Sequence, residues 1–205
     1  MTGPTRDFWQ QRFVANDTPW DRGAANPQLA VWLDSRELMP CRIVVPGCGS
    51  GHEVVVLAQL GFDVTALDYA PAAITLTRER LERASVRATL IQADALAWQP
   101  AARFDAVYEQ TCLCALHPDQ WRAYADRIDC WLVPGGKLYA LFMQVIRDSA
   151  AQGMIGGPPY HCDINAMRAL FPAQLWDWPP PPYTRVPHPQ SWTELAVVLL
   201  RNPAG

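Results

Sequence analysis

Ten residues decide the fold of this chain: VVPGCGSGHE, at positions 44–53. They join a short apolar run to a stretch with helical periodicity, which predicts a tight turn between a β-strand and an α-helix. Gly47, Gly49 and Gly51 allow positive φ and let a ligand approach the backbone without an intervening Cβ atom. The first turn of the following helix would direct its unpaired N–H groups towards that ligand.

Apolar runs and helical stretches alternate on both sides of this loop. Strands are predicted at residues 41–45, 62–67, 87–92, 104–109 and 137–145, and helices at residues 53–60, 72–84 and 118–131. Helices of this length between strands imply right-handed crossovers and a parallel sheet covered on both faces. The predicted fold class is therefore α/β and Rossmann-like.

Asp68 closes the second predicted strand, whose end flanks the same crevice as the glycine loop. A carboxylate there can accept hydrogen bonds from both ribose hydroxyls of an adenosine ligand. The dinucleotide pattern G-x-G-x-x-G would need glycine at position 52, where the chain has His52. The spacing favours S-adenosylmethionine, with a dinucleotide or a purely structural turn as alternatives.

The next two strands also end in polar residues. Asp94 and Ala95 follow the third strand, where they would contact adenine, although Asp94 in a backbone-capping role is the alternative. Glu109 and Gln110 end the fourth strand. We expect both to point towards the place where methyl donor and acceptor meet.

Bulk composition narrows the class of protein. The 205 residues, half of them hydrophobic, fit one domain over residues 1–205, expected as a monomer. A net charge of −3 does not favour a nucleic-acid partner, and the apolar runs are too short to span a membrane. The six cysteines lack metal-site spacing, and the chain opens without a leader pattern. We expect a cytoplasmic protein with reduced thiols and no metal.

Four separate motifs resemble one known family. They are WQQRF at 9–13, TPWD at 18–21, PGCG at 46–49 and GGPPY at 156–160. The chain resembles the thiopurine S-methyltransferase family, and within it is most similar to the halide and thiol methyltransferases of plants and bacteria. This resemblance implies a class I methyltransferase: a mostly parallel seven-stranded sheet, with an N-terminal helical lid (residues 1–25) over S-adenosylmethionine.

The resemblance also assigns residues by position. It implies that Trp9 and Trp20 fold over the cofactor and that Gly47 meets its methionine part. It also implies that Asp68 binds the ribose and that Asp94 and Ala95 contact the adenine. Gln110 stands where the mammalian thiopurine enzymes have arginine, which does not favour a thiopurine as the natural acceptor.

Methyl transfer from a sulfonium to a thiolate needs alignment and a dry site more than acid–base groups. Because a free thiol is only a few per cent ionised at neutral pH, a nearby base or donor would help. The candidates are Asp21, Gln110 and Tyr160, together with Tyr108. We predict S-methylation of a small molecule, with thiopurine, hydrosulfide and halide as candidate acceptors and S-adenosylhomocysteine as product. A small-molecule O- or N-methyltransferase, a nicotinamide-dependent oxidoreductase and a non-catalytic module stay open.

Overall fold

The computed structural model describes residues 3–148 and 153–203, and within them the chain forms one twisted sheet. Its strands are β1 (Arg42–Pro46), β2 (Asp63–Asp68), β3 (Thr89–Gln92), β4 (Phe104–Gln110), β5 (Leu132–Gln144), β6 (Trp176–Asp177), β7 (Thr184–Pro187) and β8 (Thr193–Arg201). Strands β1 to β5 are parallel to one another, in the order β3-β2-β1-β4-β5. Strand β8 then pairs antiparallel with β5.

Helices cover both faces of the sheet, as predicted. They are α1 (Arg6–Val14), α2 (Pro27–Asp34), α3 (His52–Gln59), α4 (Pro71–Ala84), α5 (Cys112–Ala115), α6 (Trp121–Trp131) and α7 (Ile164–Leu170). Helices α2, α3 and α4 bury apolar side chains against one face, and α6 and α7 against the other. Among the helices of the described residues, none combines the length and the apolar character that a membrane span requires.

The ends of the helices follow ordinary capping chemistry. Asn26 caps α2 by accepting from the Gln28 N–H, and Pro71 begins α4 at a position where its missing N–H costs nothing. Helix α1 lies against α4, where the Gln10 side chain accepts from the Ala72 N–H at 2.8 Å. The N-terminal helix is thereby fixed at the edge of the sheet where β2 ends.

The prediction of seven strands is corrected to eight in this part of the chain. Both β6 and β7 pair with the outer edge of β8, at opposite ends of that strand. The chain between them contains four consecutive prolines at 179–182, which have no N–H to donate to a sheet. One position in the sheet is therefore shared by two short strands, and the Rossmann-like architecture is confirmed.

Candidate active site

A cleft of about 530 Å³ runs along the carboxyl ends of the parallel strands. This volume lies within the range of sites that bind small molecules. The strand order gives the cleft a direction, from the end of β3 past β2 and β1 to β4 and β5. It finishes at residues 188–192, the turn between β7 and β8.

The glycine loop turns as its sequence predicts. Gly47, Gly49 and Gly51 have φ of 62°, 54° and 79°. Gly47 and Gly49 line the cleft, whereas a Cβ atom on Gly51 would lie 2.6 Å from Thr77 Cγ2. Gly51 therefore lets the loop pack closely on α4, whereas Gly47 and Gly49 present backbone to the cleft.

Asp68 lies at the end of β2 on the cleft wall and is 7% exposed. Its two carboxylate oxygens accept from the backbone N–H groups of Gly49 and Ala70, at 2.9 and 2.8 Å. Burial raises the pKa of Asp68 to about 6, and the amide hydrogen bonds oppose that rise. The glycine loop and the acid predicted to follow it are thus joined directly.

Asp94 and Ala95 line the cleft beyond the end of β3. The Asp94 carboxylate also accepts from the Leu96 N–H at 2.9 Å. Asp94 therefore caps the local backbone and lines the cleft at the same time, because only one carboxylate oxygen is used in the turn.

Aromatic side chains from the N-terminus close one side of the cleft. Trp20 packs edge-on against Trp9 and Phe13, with ring centroids 5.5 and 6.0 Å apart. The Arg12 guanidinium lies 5.8 Å from the Trp20 ring. All four side chains line the cleft, so the predicted N-terminal aromatic residues converge there.

Residues 18–26, which we call the strap, connect α1 to α2 across the strand ends. The Asp21 carboxylate accepts from Ser50 Oγ at 2.5 Å and from the Gly23 N–H at 2.7 Å. His52 Nε2 lies 3.0 Å from Asp21 Oδ1, within ion-pair distance but outside hydrogen-bond geometry. His52 and these donors hold the pKa of Asp21 well below its usual range.

Gln110 ends β4 at the middle of the cleft. The Tyr108 hydroxyl donates to Gln110 Oε1 at 3.1 Å, and both residues line the cavity. This hydrogen bond fixes the amide with its oxygen towards Tyr108.

The family model for thiopurine S-methyltransferase (TPMT) matches residues 4–177. The chain belongs to the thiopurine S-methyltransferase family. It is an S-adenosylmethionine-dependent methyltransferase, as predicted.

Curated relatives agree with this family. Over 166 residues the methyltransferase is 32% identical to thiocyanate methyltransferase 1 of Arabidopsis thaliana, covering 80% of this chain and 70% of the relative. It is 30% identical to probable thiol methyltransferase 2 of the same plant, covering 77% and 68%. A thiopurine S-methyltransferase of Vibrio cholerae is 26% identical, covering 80% of each chain.

Solved structures show the same fold at low identity. The N-methyltransferase NodS from Bradyrhizobium japonicum, in complex with S-adenosylhomocysteine, has a TM-score of 0.71 at 22% identity and covers 95% of this chain and 96% of its own. The 1,6-didemethyltoxoflavin N1-methyltransferase of Burkholderia thailandensis has a TM-score of 0.75 at 19% identity, with 96% and 87% coverage.

Three residues predicted for the site lie behind the cleft wall of this methyltransferase. Besides Gly51, these are Glu109 and Tyr160, both buried. Glu109 accepts from the Tyr124 hydroxyl at 2.5 Å and from the Leu113 N–H at 2.8 Å, and burial raises its pKa to about 7. Successive strand residues face opposite sides of a sheet, so Glu109 points away from Gln110.

Tyr160 packs inside the wall rather than on it. Its ring lies where a Cβ atom on Gly157 would sit, and it meets the His117 ring edge-on at 5.4 Å. Its backbone N–H donates to the Cys114 carbonyl at 2.7 Å. Burial raises the pKa of the Tyr160 hydroxyl, so the group stays protonated near neutral pH and is not available as a base.

The methyltransferase has cleft residues that the sequence did not reveal. They are Arg22 in the strap and His188, Gln190 and Trp192 in the turn between β7 and β8. No local pattern marks the three residues of the turn, because that turn reaches the cleft only through the antiparallel pairing of β8 with β5. The match of Thr193 to Gln144 places the turn beside the carboxyl end of β5.

Proposed function

We propose that this methyltransferase transfers a methyl group to the sulfur of a small molecule, either a thiol or a sulfur anion such as thiocyanate or hydrosulfide. Halide ions are further candidate acceptors. The names of the curated relatives, which include thiol and thiocyanate methyltransferases, support this acceptor class. The cleft is also of a size suited to a small molecule.

The half of the cleft between β3 and β1 suits the cofactor. Bound S-adenosylmethionine supplies a methyl group on a positively charged sulfur and is released as S-adenosylhomocysteine. We assign the ribose to Asp68, whose oxygens keep lone pairs beyond those used by Gly49 and Ala70. We assign the adenine to Asp94 and Ala95.

The methionine part of the cofactor falls to Gly47 and Gly49, which present backbone to the cavity. The rings of Trp9 and Trp20 offer aromatic faces that stabilise a nearby cation and exclude water. Gly51 and Glu109 support this half from behind and have no contact with it in our assignment.

The state of the cleft carboxylates carries the proposal. Asp21, Glu53, Asp68 and Asp94 line the cleft, and each already accepts a hydrogen bond from the chain. Asp21, a predicted base, has a lowered pKa and is therefore a weak one. With Asp21 a weak base, and Asp68 and Asp94 assigned to the cofactor, the cleft suits an acceptor that arrives already ionised.

Gln110 supplies the complementary donor. Because Tyr108 occupies the amide oxygen, the Gln110 Nε2 hydrogens are left to point elsewhere in the cleft. We propose that they donate to the incoming sulfur anion and align it with the methyl group. In this proposal Gln110 positions the acceptor, and Asp21 fixes the strap to the glycine loop.

Radiolabelled S-adenosylmethionine tests the proposal with thiocyanate, hydrosulfide, iodide, an aromatic thiol, a thiopurine and a catechol as acceptors. Asp68→Ala is compared with Asp63→Ala, its matched control at the exposed opposite end of β2. We expect labelled methyl thioethers or methyl thiocyanate from wild type and from the control, and more than tenfold loss with Asp68→Ala.

The pH profile separates acceptor types. Thiocyanate is fully ionised near neutrality, so its rate should stay constant between about pH 7 and about pH 9. Cysteine, whose thiol has a pKa of about 8.5, should lose close to tenfold in rate for each pH unit below that value. Transfer to the catechol alone would contradict the proposal, as would a thiol rate that stays flat with pH.

We also propose that the protein acts as a cytoplasmic monomer of one domain, residues 1–205, without a nucleic-acid partner. The net charge of −3 and a cleft built within one chain support this. Gel filtration should give the mass of one chain, with and without S-adenosylhomocysteine.

A further inference from the structure

Unpaired buried polar atoms gather on one wall of the cleft. Within residues 3–148 and 153–203, the side-chain atoms that are buried without a hydrogen-bond partner are Arg22 Nε, His52 Nε2, His188 Nε2, Glu194 Oε1 and Arg201 Nη1. His52 Nε2 already lies 3.0 Å from Asp21 Oδ1, and Arg201 does not line the cleft. Arg22 and His188 both line it, and Glu194 is the ion-pair partner of Arg22. Buried polar groups are normally paired, so this grouping indicates a ligand.

His188 is a buried donor. Its residue is 5% exposed, and its Nδ1 accepts from the Gln190 N–H at 3.3 Å. Burial and the nearby Arg22 charge lower the pKa of His188 to about 4, so the ring is neutral at pH 7. A neutral ring that accepts at Nδ1 carries its proton on Nε2, which is the unpaired atom.

Arg22 brings a second donor to the same place. Its Nη2 donates to the Pro187 carbonyl at 2.6 Å and to Glu194 Oε2 at 2.9 Å. The first of these contacts holds the guanidinium beside His188, the next residue in the chain. The Glu194 carboxylate offsets the charge of Arg22, so this wall offers N–H groups with little net charge.

The turn that carries His188 is held firmly. The ring stacks on Trp192 at 5.3 Å, and Gln190 Nε2 donates to the Pro19 carbonyl at 3.1 Å. The turn lies beyond β5, at the opposite end of the cleft from Asp94 and Ala95. Arg22 and His188 therefore line the half of the cleft that the assigned cofactor residues leave open.

We propose that the N–H groups of His188 Nε2 and Arg22 Nε form a donor pair that binds the anionic end of the methyl acceptor and sets its specificity. This inference rests on the proposed function. Because the wall has little net charge, it favours weakly hydrated anions such as thiocyanate, which lose their water at low cost. Gln110 would then contact the same anion from the β4 side.

His188→Phe tests the pair, since phenylalanine keeps the stacking on Trp192 and removes the donor. His188→Gln restores an N–H close to the Nε2 position. His117→Phe is the matched control: His117 also accepts from the N–H two residues on, at 3.3 Å, and packs on an aromatic ring. Calorimetry measures thiocyanate binding with S-adenosylhomocysteine present, and kinetics give KM and kcat.

We expect His188→Phe to weaken thiocyanate binding and raise its KM by about tenfold or more, since a hydrogen bond to an anion is lost. His188→Gln should recover most of this, and His117→Phe should bind as wild type does. The KM for S-adenosylmethionine should stay within about twofold in every variant, as expected for a residue of the acceptor half.

An unchanged thiocyanate affinity in folded His188→Phe would overturn the inference while leaving the proposed function intact. A wild type that methylates none of the acceptors would overturn the proposed function instead. If His188→Phe does not fold, Arg22→Lys decides, because lysine keeps the charge beside Glu194 but has no Nε–H donor at that position. Unweakened binding in Arg22→Lys would then refute the pair.

Discussion

Among single residues, two buried carboxyl groups near the cleft differ in their hydrogen-bond partners and in their pKa. Asp68 accepts from backbone amides and faces the cavity, with a pKa of about 6. Glu109 faces the opposite side of the sheet, where it meets the Tyr124 hydroxyl, and its pKa is about 7. Near neutral pH Asp68 is therefore mostly ionised, and Glu109 is close to half protonated.

Glu109 should make stability depend on pH. Its folded pKa lies above the ordinary value of 4.5, so between these values the native state holds a proton that the unfolded chain has released. Stability therefore falls as pH rises through this window. We expect the free energy of unfolding of Glu109→Gln to rise, relative to that of wild type, by on the order of 3 kcal/mol between about pH 4.5 and about pH 7.5.

Urea unfolding at both ends of that range measures the difference. Glu82→Gln, on the exposed side of α4, controls for the rest of the molecule's titration. A constant gap between Glu109→Gln and wild type would show that Glu109 does not change its protonation on folding.

Among the elements, the N-terminal helix shows what local sequence can and cannot predict. Thr5 caps α1 by accepting from the Phe8 N–H, and the aromatic residues at 9, 13 and 20 indicated a surface over the cleft. The reach of the strap from the glycine loop to β8 was not predictable. It depends on contacts between residues more than a hundred positions apart, such as Arg22 with Glu194.

Trp20→Ala should weaken cofactor binding selectively. A ring that stabilises the sulfonium contributes more to S-adenosylmethionine than to uncharged S-adenosylhomocysteine. We expect a loss of about 3- to 30-fold for the first ligand and a smaller loss for the second. Calorimetry with both ligands measures this, and Trp20→Phe should retain most of the affinity. Equal losses for the two ligands would mean that Trp20 acts through packing alone.

Across the whole molecule, the parallel sheet with helices on both faces followed from the alternation of apolar runs and helices, and the glycine loop with Asp68 located the cleft. The order of the strands was not predicted. The burial of Glu109 was missed although strand alternation requires it once Gln110 faces the cavity. His188 and Trp192 were missed for a different reason. Their turn reaches the cleft through the long antiparallel pairing of β8, which no local pattern reports.

The ion pair between Arg22 and Glu194 joins the strap to the start of β8, at a buried carboxylate. Glu194→Leu leaves a buried guanidinium without its carboxylate, and we expect a loss of about 3–5 kcal/mol in the free energy of unfolding. Arg22→Met with Glu194→Leu removes both charges and should recover most of this loss. Urea unfolding of the three proteins decides, and a double variant no more stable than Glu194→Leu would contradict the account.

The strap has hydrogen bonds to two parts of the cleft, to Ser50 of the glycine loop and to Pro187 and Glu194 beside the turn between β7 and β8. If the first ligand to bind orders the strap, the second ligand binds without the free-energy cost of that ordering. Thermodynamic linkage then requires reciprocity: the factor by which bound cofactor tightens the acceptor equals the factor by which bound acceptor tightens the cofactor. The strap would thereby couple the binding of the cofactor to the binding of the acceptor.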